Sequence, residues 1–149
     1  MRFTRSALAA AGLAALSVGA TTALAAPASA AANTTPQKVC GSGYKTVNSA
    51  PIGSLGTVYL TYNSSNGANC VATIRNNPGT RLDMSAWIYV PDTEQGDEDY
   101  GQYTSYAGPT YVYGKGHCVD WGGHIDNVYT QVSGSNCGAL KEHRVTFTR

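Results

Sequence analysis

The sequence predicts an all-β fold: an antiparallel β-sandwich or barrel of about eight short strands with two disulfides. Three observations carry that expectation. Stretches of alternating apolar and polar residues recur between turn signals rich in Gly, Pro and Asn. The composition holds 10 Tyr and 17 Gly with only 13% charged residues, and the helix formers Leu and Glu are scarce beyond residue 30. The 4 cysteines, Cys40, Cys70, Cys118 and Cys137, form an even set in a chain that opens like an exported protein.

The opening is MRFTRSALAAAGLAALSVGATTALAAPASA. Arg2 and Arg5 supply a short positive region, an uncharged Ala- and Leu-rich run follows, and Ala28-Ser29-Ala30 gives the small-residue cleavage pattern. Residues 1–30 therefore read as a secretory signal peptide, and residues 31–38 as a flexible mature N-terminus. Residues 39–149 then form a single β domain, within a mature chain of about 117–119 residues. Loss of Arg2 and Arg5 reduces ten Lys plus Arg to eight against nine acids, a net charge of −1. A near-neutral exported domain has no electrostatic footprint for nucleic acid. With no second long apolar run, the mature form is not expected to be embedded in a membrane.

The strands follow in chain order. Thr57 to Tyr62 alternate cleanly, with Val58, Leu60 and Tyr62 on one face. Cys70 to Arg75 place Cys70, Ala72 and Ile74 on another apolar face. Matching the two faces sets Val58 opposite Ile74, Leu60 opposite Ala72 and Tyr62 opposite Cys70. Ser65, Asn66 and Gly67 are left as a three-residue loop with Gly67 in the left-handed position. Further strands are expected at 85–90, 102–106, 110–113, 118–121, 128–132 and 144–147. Pro78-Gly79, Pro91-Asp92, Gly108-Pro109, Gly122-Gly123 and residues 133–136 punctuate them. Pairing Cys40 with Cys70 and Cys118 with Cys137 closes the two shorter loops, and is favoured among three possible connectivities.

The stretches VCGSGYKTVNSAPIG, GTVYLTYNSSNG, IRNNPGT and DYGQYTSYAGPTYVYGKGHCVDWGG together resemble the spore-associated protein A family of small secreted actinomycete proteins. The resemblance covers the mature region and the MRFTRSA start. It implies an exported protein of the spore envelope and carries over no catalytic residues and no cofactor.

The densest chemistry lies in PDTEQGDEDYGQY, which holds five of the chain's nine acids. Calcium would need Asp92, Glu94, Asp97 and Asp99 to converge. Counted from Asp92, the glycine required at position six falls at position five, and position twelve is Tyr103. The stretch reads instead as a solvated loop, whose neutralisation at Asp97 and Asp99 should leave stability unchanged or raise it slightly by easing repulsion, with a weak calcium site as the alternative. His117, Asp120 and His124 lie close in sequence but do not share a strand face, so no zinc site is assigned. A Ser-His-Asp triad has no Gly-x-Ser-x-Gly elbow to mark it.

Tyrosines are the clearest surface signal. Tyr111 and Tyr113 share one face of a strand, and with Trp121 they are the candidates for contact with a glycan or a protein partner, set against cross-strand aromatic pairing for the tyrosines and a place in the core or under a turn for Trp121. The expected function is non-catalytic: adhesion at the spore or cell surface, to cell-wall polysaccharide or to a spore-envelope protein. A carbohydrate-binding module is the first alternative, and a small secreted hydrolase or hydrolase inhibitor the second.

Overall fold

The computed structural model describes residues 34–138. The signal peptide expected over residues 1–30 and the strand expected at 144–147 lie outside the described residues. The described residues open with a short helix. Thr35 accepts a hydrogen bond from the N–H of Lys38, and Pro36 at the first helical position suits the helix α1, Pro36–Cys40. The flexible segment expected over 31–38 is thus corrected from Thr35 onward: a disulfide from Cys40 to Cys70 pins this helix onto a sheet.

Eight strands follow: β1 Lys45–Ile52, β2 Gly56–Asn63, β3 Ala68–Arg75, β4 Leu82–Val90, β5 Gln95–Tyr103, β6 Tyr106–Tyr113, β7 Val119–Ile125 and β8 Val128–Ser135. They form two four-stranded antiparallel sheets, ordered β1-β2-β3-β6 and β5-β4-β7-β8. The all-β antiparallel class holds, and the architecture is a sandwich rather than a closed barrel. Between the sheets lies one core, built from alternate residues: Val58 and Leu60 of β2, Val71 of β3, Met84, Ala86, Ile88 and Val90 of β4, and Val119, Trp121 and Ile125 of β7. A second disulfide joins Cys118, just before β7, to Cys137, just after β8.

The β2–β3 register differs from the expected one by a residue. Thr57 pairs with Ile74, Leu60 with Val71 and Thr61 with Cys70, and the loop holds four residues, Ser64 to Gly67. The reason is that β3 is buried on both faces. Val71 and Thr73 face the inter-sheet core, while Cys70, Ala72 and Ile74 pack outward under Cys40, Val39, Tyr44 and Tyr59. When both faces are apolar, matching one face to a neighbour does not select a register.

Three further differences matter for the surface. Most of the acidic stretch is strand rather than loop: residues 95–103 form β5, paired along its length with β4, and residues 91–94 make the turn before it. The strand expected at 102–106 is divided, because Tyr103 ends β5, Tyr106 begins β6, and Thr104 and Ser105 turn between them. Gly122 and Gly123, read as punctuation, sit inside β7 where close neighbours leave no room for a side chain. Thr73 faces Gly123 across the core, and the Trp87 ring lies over Gly122.

Candidate functional site

Among the described residues four strand edges flank the sandwich, and side chains lace each pair. On one side β1 lies beside β8. The Thr130 hydroxyl donates to Pro51 O at 2.6 Å, and the Asn48 amide to Asn136 Oδ1 at 3.3 Å. On the other side β5 lies beside β6, joined by the acids. Asp97 Oδ2 accepts the Tyr111 N–H at 2.8 Å. Asp99 accepts the Gly108 N–H through Oδ2 at 2.6 Å and the Tyr103 hydroxyl through Oδ1 at 2.6 Å. Carboxylates placed along an edge satisfy its donors and discourage another strand from adding.

An open cleft of about 590 Å³ runs between these two edges, lined in part by Asp97, Glu98, Asp99, Tyr103 and Thr110. The hydrogen bond to Asp99 raises the pKa of the Tyr103 hydroxyl, with burial and the carboxylate charge adding to it.

The four calcium candidates do not converge. Asp92 sits 3.1 Å from the Nδ1 of His117, Glu94 occupies the β4–β5 turn, and Asp97 and Asp99 bind the backbone of β6. No group of three or more His, Cys, Asp and Glu among the described residues could hold a metal ion. His117, Asp120 and His124 are likewise apart, since Asp120 accepts the Gly134 N–H at 2.7 Å and His124 points out of the second sheet toward Ser85.

The expected tyrosine contacts are separated by the fold. Tyr111 and Tyr113 share the outer face of the first sheet, and both are exposed. Tyr111 is also held in place: its hydroxyl donates to Cys40 O at 3.0 Å and its ring centroid lies 5.5 Å from that of Tyr44. Burial, and then the neighbouring Tyr44, raises its pKa. Trp121 must be withdrawn from the set. It is 0% exposed in the inter-sheet core, with its indole N–H donated to Ser135 Oγ at 2.8 Å.

A second aromatic face, on the opposite sheet, was not singled out from sequence. Outward positions of β4 are Ser85, Trp87 and Tyr89; Tyr100 lies on β5, His124 on β7 and Tyr129 on β8. Alternation within 84–90 is the signal that could have found it, since Met84, Ala86, Ile88 and Val90 point inward. Ser85 Oγ lies 2.8 Å from His124 Nδ1, and the Tyr100 ring lies 5.5 Å from the imidazole. That spacing would suit a nucleophile and its base. Yet Ser85 is buried, and no carboxylate among the described residues hydrogen-bonds the histidine. The pair locks the imidazole orientation in the middle of the face.

The chain is 57% identical over 115 residues to spore-associated protein A of Streptomyces coelicolor, spanning 76% of this chain and 73% of that protein. No family model and no solved structure matches.

Proposed function

The chain belongs to the spore-associated protein A family, and from that premise we propose that it is an exported, non-catalytic protein that attaches to the spore or cell envelope by surface contact. The observation that carries this reading is the placement of tyrosines on both outer faces of the sandwich. Tyr106, Tyr111 and Tyr113 are exposed on one, and Tyr89, Tyr100 and Tyr129 on the other. Asp97, Asp99 and Asp120, by contrast, are spent on backbone N–H groups of neighbouring strands and turns. Rings with polar tips suit contact with a partly wet, polymeric surface. Tyr111 and Tyr113 are proposed partner contacts on the first sheet, suited to a spore-envelope protein or a wall polysaccharide.

Fractionation of sporulating and vegetative cultures tests the reading. The mature protein, beginning at Ala31 or Asn33, should be found on the spore or cell envelope. Recovery only from the cytosol or free medium would overturn it. Incubation with purified wall polymer should release no fragments. Release that disappears in Ser85→Ala would replace adhesion with hydrolysis.

A further inference from the structure

We infer that the outer face of the second sheet is a binding platform for a strand of uncharged, β-linked polysaccharide. The inference rests on the envelope reading above and adds to it the surface and the ligand class. Antiparallel pairing sets Tyr100, Ser85, His124 and Tyr129 side by side across all four strands. The adjacent row is Glu98, Trp87, Gly122 and Gln131. Beyond it Tyr89 stands between Gly96 and Asp120. Neighbouring strands lie about 4.8 Å apart, so one row spans roughly 14 Å.

Two rings on this face lie against glycines of the neighbouring strands. Trp87 is paired with Gly122, and a methyl group added at Gly122 would come within 2.8 Å of the indole Cζ2. Tyr89 is paired with Gly96, where an added methyl would stand 3.1 Å from the ring Cδ2. At the margins Tyr100 is 64% and Tyr129 79% exposed. Ring faces carry partial negative charge and attract the polarised C–H groups on the flat side of a pyranose.

Polar groups select the occupant. The indole N–H of Trp121 and the hydroxyls of Tyr103 and Tyr111 are all hydrogen-bonded within the protein. Among the described residues, no protein group hydrogen-bonds the Trp87 indole, the Tyr89, Tyr100 and Tyr129 hydroxyls, or the Glu98 carboxylate. These remain open to sugar hydroxyls. The outward strand positions carry Asp83, Glu98 and Asp120 and no Lys or Arg. That charge repels nucleic acid, phosphate polymers and anionic lipid, and leaves a neutral hydroxylated chain as the complementary ligand. No Leu, Ile, Val, Met or Phe occupies these outward positions, so the apolar area of the face is all aromatic ring.

Calorimetric titration of the exported chain with cellohexaose and with N,N′-acetylated chitohexaose tests the platform and separates a glucan from an amino-sugar source. Binding of either hexaose is expected. It should weaken at least tenfold in Tyr100→Ala/Tyr129→Ala, whose side chains are too exposed to support the fold, and be unchanged in Val47→Ala, an exposed position on β1 of the opposite sheet. Trp87→Ala should abolish binding, and circular dichroism of that variant separates loss of the ring from loss of the fold. Failure to bind either hexaose, or binding that survives in Tyr100→Ala/Tyr129→Ala, overturns the inference. A chain that ignores both sugars yet attaches to the envelope rejects the platform alone. One that binds a hexaose but never reaches the envelope rejects the envelope reading alone.

Discussion

At the scale of single residues, Gly67 closes the β2–β3 loop at φ +73°, and its N–H donates to Asn63 O at 2.8 Å. A β-carbon there would meet the Tyr113 ring at 2.8 Å and Lys115 Cβ at 2.9 Å. Left-handed strain alone is worth about 1 kcal/mol, so with the crowding Gly67→Ala should cost about 1–2 kcal/mol. Urea denaturation should show a lower midpoint at unchanged slope; an unchanged midpoint would reject the left-handed turn. The turn glycine was legible because the left-handed region so strongly favours one residue type. The roles of the two tryptophans were not. Trp87 alternates with Ala86 and Ile88 and so faces out, whereas Trp121 is followed by two glycines that carry no side chain to reveal the strand's phase. Tyr103 makes a second test. Its folded pKa is raised, so the Asp99 bond contributes stability that is fully present below the ordinary tyrosine range and lost as pH rises through the folded value. Tyr103→Phe should therefore be less stable than the parent near neutrality, and the difference should shrink in strong alkali. A gap that stays constant with pH would show that the hydroxyl is not the group responsible.

At the scale of elements, β5 shows why a run of acids can be mistaken for a loop. QGDEDYGQY lacks the apolar alternation of a core strand because its inward side meets the edge of β6 as well as the core. The period of two is still present: Asp97, Asp99 and Tyr103 lie on one side, Glu98, Tyr100 and Gln102 on the other. β1 was missed for a related reason. It is an edge strand with Pro51 near its end and a bulge between Thr46 and Asn48, which breaks the pattern. The role of Asp99 reverses the expectation that neutralising it leaves stability unchanged. Asp99→Ala should remove two charge-assisted hydrogen bonds at a partly exposed edge and cost about 2–3 kcal/mol. Asp99→Asn keeps one acceptor and should cost about half as much. Thermal melts of both variants decide it: equality with the parent would restore the solvated-loop picture.

Across the whole molecule, the fold class was readable because alternation, turn residues and an even set of cysteines reflect local geometry and pairwise cross-linking. The arrangement of the two sheets was less so, since it depends on which edges come together. That is decided by contacts far apart in sequence, such as Thr130 with Pro51. The same distance in sequence hid the second aromatic face, whose rings come from four different strands. One flaw in the assembled core gives a last test. Thr73 and Thr110 are buried where β3 and β6 cover the core, and neither hydroxyl has a hydrogen-bond partner among the described residues. A buried polar group without a partner costs about 1–3 kcal/mol, whereas an apolar group of the same shape does not. Valine matches threonine in shape, so Thr110→Val should fit its site and remove the penalty. The expected gain is about 1 kcal/mol or more, corresponding to a rise of about 4 °C in Tm for a domain of this size. Thr73→Val should act in the same direction, although its hydroxyl lies close to Gly123 and a methyl group there must fit the same space. A fall in Tm for Thr110→Val would mean that its hydroxyl has a partner in solution, with water in the β5–β6 cleft that Thr110 lines as the nearest source.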